Sequence, residues 1–331
     1  MTLSVVSPCY NEEGNVLAFY EAVLAEFGKI EQIEQNAQIE FILVDDGSRD
    51  ATAQVLERLS TKDSRVKPLY FSRNFGKEAA VFAGLSHASG DLVLLLDADL
   101  QHPVELILPM FNAVCQGADV AFVRRKRRKG EGFFRTIFSN LFYKFNQFLS
   151  GIEVAQGTMD FRLMRREVVD AFLQVGEYHR FCKNIFEWLG FQKVAIEFEV
   201  APQRHSGRSS WSFKKLFAYA LNGIFSFSAT PLRICFAFGL FCSFLGGSYG
   251  FYLVVKWLIM GNPIGGWTTL ASLICFFSGL VLIGQGIEGE YIARIYEQSK
   301  FRPHYILRKS APKLGKTPEN KRLDLSGEKE D

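Results

Sequence analysis

From Ile234 to Val255 the chain runs for about 22 residues without a charge, and from Trp257 to Ile287 it does so again over a longer stretch. About 20 apolar residues in a helix cross the hydrocarbon core of a bilayer, so each stretch is long enough to span one. No single constraint on the fold is stronger. The hydrophobic share is 48% with 32 Phe, and the excess collects after Pro231. The sequence therefore predicts two transmembrane helices, at about 234–256 and 264–287, turning at Gly261-Asn-Pro263. Lys214, Lys215, Arg233, Arg294, Lys300, Arg302 and Arg308 lie on one side of the pair, and only Lys256 lies near the short loop. The positive-inside rule then sets both termini and everything before the first span in the cytoplasm, as a multi-pass protein of the inner (cytoplasmic) membrane. Gly246-Gly247 and the series Gly279, Gly284, Gly286 and Gly289 would allow close contacts between helices, and a homo-oligomer is a further expectation. There is no basic region before the first apolar residues, so no cleavable signal peptide is expected. The 6 Cys show no CxxC pair and no Cys/His metal spacing, which reads as free thiols in a reducing compartment.

Before the spans, apolar runs alternate with helical patterns. Leu3 to Cys9 reads as a strand, followed by a helix with Val16, Phe19, Val23 and Phe27 on one face and Asn15 as its cap. Glu40 to Val44, Val66 to Phe71 and Leu92 to Leu96 are further strands, with helices from Thr52 and Ala79 between them. That order predicts βαβ units, an α/β class and a mostly parallel sheet. The strand ends are acidic: Asn11-Glu-Glu13 after the first, Asp45-Asp46 after the second, Asp97-Ala-Asp99 after the fourth. In α/β enzymes the carboxyl ends of parallel strands are where ligands bind. Asp97 and Asp99 can both reach one divalent cation, and oxygen ligands favour Mg²⁺ or Mn²⁺ shared with a substrate diphosphate. No GxGxxG follows the first strand, which excludes a dinucleotide-binding fingerprint.

Pro8-Cys-Tyr-Asn-Glu12, Val44-Asp-Asp-Gly-Ser48, Ser72-Arg-Asn-Phe-Gly-Lys77 and Asp97-Ala-Asp-Leu-Gln-His-Pro103 follow one another in this order. Together they resemble glycosyltransferase family 2, with its GT-A fold, over roughly residues 3–210. Within it the chain looks like the polyprenyl-phosphate glycosyltransferases, which include bactoprenol glucosyltransferases and dolichyl-phosphate mannose synthases. The resemblance implies that Pro8, Tyr10 and Glu12 line the base and ribose pocket, with Asp45 or Asp46 on the base. It implies that Asp97, Asp99 and Gln101 hold the metal on the diphosphate. His102 is expected to position that loop. Gly157 to Leu163 matches a family segment whose Asp lies near the reacting sugar, so Asp160 is either a general base or an orienting group. Arg204-His-Ser-Gly-Arg-Ser209 fits a loop that closes over the diphosphate, where an Arg fork suits phosphate oxygens.

Arg124 to Lys129 are six consecutive cations, which call for an anionic partner. Nucleic acid, a membrane surface and a phosphate-headed lipid all qualify. The next stretch, 133–149, decides against nucleic acid, because Phe134, Ile137, Phe138, Leu141, Phe142, Phe145 and Phe148 share one face. An aromatic face beside a basic run suits a helix lying in the bilayer interface. A second amphipathic stretch is expected at 211–228. The resemblance sets Arg124, Arg135 and Ser139 on the acceptor phosphate. The charged tail, 291–331, is expected to be partly disordered. The implied activity is an inverting, metal-dependent transfer of a hexose, with UDP-glucose as donor and undecaprenyl phosphate as acceptor. GDP-mannose or another nucleotide sugar is the alternative. A processive polysaccharide synthase is disfavoured because no Q-x-x-R-W follows Asp160, and a non-enzymatic scaffold because Asp97, Asp99 and Arg204 are intact.

Overall fold

A computed structural model describes residues 1–125, 158–177, 180, 182–198, 230–260 and 266–312. The chain divides into two units. The first holds residues 1–130, 154–203 and 303–331, and the second holds 131–153 and 204–302.

In the first unit, β1 (Thr2–Cys9), β2 (Gln38–Asp45) and β3 (Val66–Phe71) alternate with α1 (Val16–Glu31) and α2 (Thr52–Lys62). Then come α3 (Lys77–His87), β4 (Leu92–Leu95), α4 (Ile107–Cys115), β5 (Val120–Arg125), β6 (Thr158–Arg165), α5 (Arg166–Gln174), α6 (Cys182–Trp188) and β7 (Lys193–Phe198). A two-residue strand, β8 (Leu307–Arg308), follows the second unit. The sheet order is β7-β5-β6-β4-β1-β2-β3-β8. Pairing is parallel for β1–β2, β1–β4, β2–β3 and β5–β7, and antiparallel where β6 meets β4 and β5 and where β8 meets β3. The expected α/β class and mostly parallel sheet are as observed. The central strands are apolar on both faces because helices cover both faces: Val5, Val6, Phe41, Ile42, Leu43 and Leu94 are wholly buried.

β2 and β3 extend from one side of β1, and β4 lies on the other. That reversal makes a crevice at the carboxyl ends of β1 and β4. α3 lies close over the crevice floor because Gly84 faces Val6, where an added Cβ would stand 2.3 Å from Val6 Cγ1. At the opposite end of the sheet a buried carboxylate ties three elements together. Glu40 Oε1 accepts bonds from Ser4 Oγ (2.5 Å), Ser89 N (2.7 Å) and Ser89 Oγ (2.9 Å), and Oε2 from Lys67 Nζ (2.6 Å). Burial pushes the Glu40 carboxyl up, but these donors outweigh it and bring it down to about 2. A folded-state value below the unfolded one stabilises above the unfolded value, about 4.3, and that stability is lost as pH falls toward 2. Glu40→Gln should therefore be less stable than wild type by on the order of 2 kcal/mol at pH 6, with the gap closing near pH 2. Urea unfolding at the two pH values measures it, and a gap independent of pH would remove the carboxylate from the account.

One expectation is corrected here. Asn15 precedes α1 but makes no side-chain cap bond. Its amide donates instead to Glu12 Oε2 at 2.6 Å, because the turn brings that carboxylate within reach. The first ten residues after the second unit are held in place by named contacts. Pro303–Pro312 lies along β3 and α3: Ser72 N donates to Ile306 O (2.9 Å), Arg308 Nη2 to Ser72 O (2.8 Å) and Gln54 Nε2 to Pro312 O (2.7 Å). Tyr305 stacks on Phe71 at 5.2 Å and His304 meets Phe82 edge-on at 5.1 Å. Aromatic burial supplies what the charged composition lacks.

The second unit contains α7 (Thr230–Met260) and α8 (Trp267–Ser299). Among the described residues one window, Cys235–Tyr252, is long and apolar enough to cross a membrane, and none of it is buried. α8 begins apolar but carries Glu288, Glu290, Arg294 and Glu297 in its last turns. A Cβ added at Gly246, Gly279, Gly284, Gly286 or Gly289 would meet nothing within 4 Å in the single chain. The amphipathic stretches expected at 133–149 and 211–228 lie outside the described residues.

Candidate functional site

A cavity of about 390 Å³ opens at the crevice, lined by Pro8, Cys9, Tyr10, Glu12, Asp46, Asn74, Gly76, Lys77, Asp97, Ala98 and Asp99. Each side comes from a strand end. Pro8 and Cys9 end β1 and Tyr10 to Glu12 follow it, Asp46 follows β2, Asn74 to Gly76 link β3 to α3, Lys77 opens α3, and Asp97 to Asp99 follow β4. Two non-glycine residues beside it hold left-handed backbone, Asn11 (φ 57°) and Leu100 (φ 54°). Such strain persists where the surroundings impose it, and it clusters at binding sites. Asn11 is held by its neighbours: its N–H donates to Ser48 Oγ (3.0 Å) and its Oδ1 accepts from Arg49 N (2.9 Å).

Pro8, Tyr10, Glu12, Asp46, Asp97 and Asp99, all expected at the site from the sequence, are brought together on this wall. Asp45 is not. It is wholly buried, and its Oδ1 accepts the Ser48 N–H at 3.1 Å. Successive residues of a strand face opposite ways, so only one of the pair Asp45-Asp46 can face the crevice. Asp46 does, yet its carboxylate also organises the next loop, accepting Phe75 N at 2.7 Å and Gly76 N at 3.0 Å. Burial holds both carboxyls above the usual range. Gln101 is exposed and off the cavity wall. Its N–H donates to Asp99 Oδ1 at 3.0 Å, so it shapes the loop from outside. His102 is buried with Nε2 3.9 Å from Asp97 Oδ2.

Asp160 stands beside this wall through sheet register. β6 runs antiparallel to β4 with Leu95 opposite Arg162, and the same register carried two residues further sets Asp160 opposite Asp97. Lys77, the first residue of α3, joins the two. Its Nζ lies 2.7 Å from Asp97 Oδ2 and 2.9 Å from Asp160 Oδ2. Lys183 Nζ lies 3.5 Å from Asp160 Oδ1. Burial raises the Asp97 carboxyl, but His102 and Lys77 outweigh it and hold it below the usual carboxylate range. Asp160 is likewise raised by burial and brought below that range by Lys77 and Lys183. For Lys77 burial acts downward, and Asp160 and Asp97 reverse it, so the ammonium is firmly charged. Neither lysine was given a role from sequence. A signal for Lys77 existed, since a cation at a helix N-terminus opposes the macrodipole and needs a reason to be there.

Arg124 is paired with Glu197 of β7 across the parallel β5–β7 ladder. Arg135, Ser139 and Arg204 lie outside the described residues. Among the described residues no cluster of three or more His, Cys, Asp or Glu could hold a metal ion by itself. The donor set of Asp97 and Asp99 does fit Mg²⁺ or Mn²⁺, which take one or two carboxylates and fill the rest from phosphate and water.

Two profiles of known families match the chain. The profile described as glycosyl transferase family 2 matches residues 4–173, and the profile of the GtrB C-terminal hairpin matches residues 230–295. A bactoprenol glucosyl transferase of Shigella phage SfV is 40% identical, over 95% of this chain and 100% of its own. A putative glycosyltransferase, CsbB, of Bacillus subtilis (strain 168) is 39% identical, over 93% of this chain and 92% of its own. The prophage bactoprenol glucosyl transferase homolog of Escherichia coli (strain K12) is 37% identical, over 93% and 99%.

Proposed function

The chain belongs to glycosyl transferase family 2, and from that premise we propose that it transfers glucose from UDP-glucose to a polyprenyl phosphate, undecaprenyl phosphate in particular, at the cytoplasmic face of a membrane. The observation that carries the reading is the crevice at β1 and β4, where Pro8, Tyr10 and Glu12 from the end of β1 share one wall with Lys77, Asp97 and Asp99. A nucleoside diphosphate sugar offers a flat base and ribose to the first group and, through a divalent cation, two phosphates to the second. Relatives named bactoprenol glucosyl transferases match from end to end, and that supports glucose and the lipid acceptor over GDP-mannose.

Pro8 and Tyr10 are assigned to the base and Glu12 to the ribose hydroxyls, with Asp46 fixing the loop beneath. Asp97 and Asp99 would hold Mg²⁺ or Mn²⁺, which supplies Lewis-acid neutralisation of the leaving diphosphate. An acceptor phosphate is already a nucleophile at neutral pH, its second pKa being near 6. Asp160, kept ionised by two lysines, is therefore better placed to orient the sugar than to remove a proton. Attack from the face opposite the diphosphate inverts the anomeric carbon. Arg135, Ser139 and Arg204 are assigned to the acceptor and donor phosphates on the family resemblance, and Arg124 would have to leave Glu197 to join them.

We also propose that α7 and α8 both cross the bilayer. Chain connectivity supports this. Residues 154–203, ahead of the helices, and the segment from 303, behind them, belong to one folded unit, with β8 hydrogen-bonded to β3. They therefore lie on the same side of a membrane, and the number of crossings between them is even. A crossing by α7 requires a return by α8. The 33 residues of α8 measure about 50 Å, which leaves its charged last turns outside a 30 Å core.

The test is a panel of labelled nucleotide sugars with undecaprenyl phosphate in detergent, followed by extraction of the lipid. Label from UDP-glucose should enter the lipid fraction at least about tenfold faster than from GDP-mannose, a modest discrimination for a site that reads both base and sugar. Faster labelling from GDP-mannose would replace the donor, and labelled polymer without labelled lipid would replace the reaction.

A further inference from the structure

Two carboxylates of the site share one ammonium. Lys77 Nζ donates to Asp97 Oδ2 and to Asp160 Oδ2, while the other oxygen of Asp160 faces Lys183. The carboxylates repel each other, and the lysine between them offsets that repulsion. Yet Asp97 is also a proposed metal ligand, and the oxygen that Lys77 occupies is one a divalent cation would use. An ammonium and a dication cannot both sit on one carboxylate oxygen without strong like-charge repulsion.

We infer that Lys77 is a resident counter-cation, which holds Asp97 to Asp160 in the donor-free enzyme and yields Asp97 to the divalent ion when the nucleotide sugar enters. This rests on the metal reading given above. The side chain suits the task. A lysine is a point charge on a flexible four-carbon stem, so it can turn without disturbing the helix that carries it. Asp160 keeps a second partner in Lys183 and stays ionised while Lys77 moves. The nearest new anion for the freed ammonium is the diphosphate of the donor, which enters the wall that Lys77 itself lines. Lys77 would then be a positioning residue in the empty site and a phosphate ligand in the loaded one. Metal and lysine compete for Asp97 in the first state and cooperate on the diphosphate in the second.

The competition can be measured without turnover. Mn²⁺ binding to the full-length protein in detergent is followed by loss of the free-ion electron paramagnetic resonance signal, first without nucleotide and then with UDP. Lys77→Met should bind Mn²⁺ about tenfold more tightly than wild type when nucleotide is absent, a coupling of ordinary size for two ligands sharing a site. It should lose that advantage with UDP, where the lysine would have helped. Lys77→Arg, which keeps the charge and guards against a folding defect in the first variant, should stay near wild type without nucleotide. Asp97→Asn separates the two ideas. If Asp97→Asn weakens Mn²⁺ binding while Lys77→Met binds no more tightly than wild type, the counter-cation role is wrong and the metal site stands. If Asp97→Asn binds Mn²⁺ as wild type does, or no protein binds it even with UDP, the metal site itself is wrong and this role falls with it.

Discussion

Asp97→Asn is expected to lower the turnover of glucolipid formation by about 10²- to 10³-fold, the usual cost of removing one preorganised electrostatic partner from a transition state. The fold should survive. Asp97 lies past the end of β4, and among the described residues its carboxylate is paired with Lys77 and the more distant His102 ring. The sheet below it is held by Leu92 to Leu96, which stay buried whatever follows. Asn keeps the shape and still offers one oxygen to Lys77, so what disappears is the charge. The leaving diphosphate then faces Asp99 alone. Excess chelator should do the same to wild type, with recovery on adding Mg²⁺ or Mn²⁺. Label incorporation measured beside a thermal melt checks both halves. Activity within tenfold of wild type at an unchanged melting temperature would take Asp97 out of the chemistry.

Gly47→Ala should cost about 3 kcal/mol of stability and much of the affinity for UDP. Gly47 has φ +65°, a conformation that an L side chain resists, and its position is more restrictive still. An added Cβ would stand 2.5 Å from the carbonyl carbon of Arg73 and 2.6 Å from the amide nitrogen of Asn74. Those are backbone atoms, so no rotamer change relieves the clash and the two loops must separate. The loop that moves is the one whose Phe75 and Gly76 amides bind Asp46 and whose end carries Lys77. Stability and binding are therefore expected to fall together. Gly28→Ala makes a fair control. It lies within α1 with nothing within 4 Å of the new methyl, so it should be neutral or stabilising by about 1 kcal/mol. Equal melting temperatures for the two variants would contradict the contact between these loops.

The parts of this site that could be read from the sequence are those written within one stretch of chain. Leu92 to Leu96 followed by Asp97 and Asp99 is a buried strand with carboxylates it cannot bury, and no folded context changes that reading. The same holds for the acidic ends of β1 and β2. Which of Asp45 and Asp46 faces the crevice depends on where β2 stops, and a shift of one residue exchanges the faces. Asp160 was reachable only through family resemblance. What places it near Asp97 is the antiparallel register of β6 on β4, a pairing across more than sixty positions of sequence. Lys77 sits within the Ser72–Lys77 motif with no local partner to mark its task, although its place at the wrong end of a helix dipole is a local conflict of the kind functional sites carry. The segment Pro303–Pro312 escaped for another reason. Two strand residues and a few aromatic rings make no periodic signal, and their partners, Phe71 and Phe82, are remote in the chain.

That returning segment also changes what a soluble fragment of this protein can be. The transferase fold is interrupted in its own gene: the helical hairpin is an insertion within it, not an appendage behind it. Cutting the chain ahead of Thr230 would keep every strand that frames the crevice but strip the outer edge of β3, leaving Ser72 N and O without Ile306 and Arg308, and Phe71 without its cover. A bare edge strand recruits other chains. A fragment made by excising the hairpin and splicing residues 303–312 back through a flexible linker should stay monomeric where the simple truncation clumps.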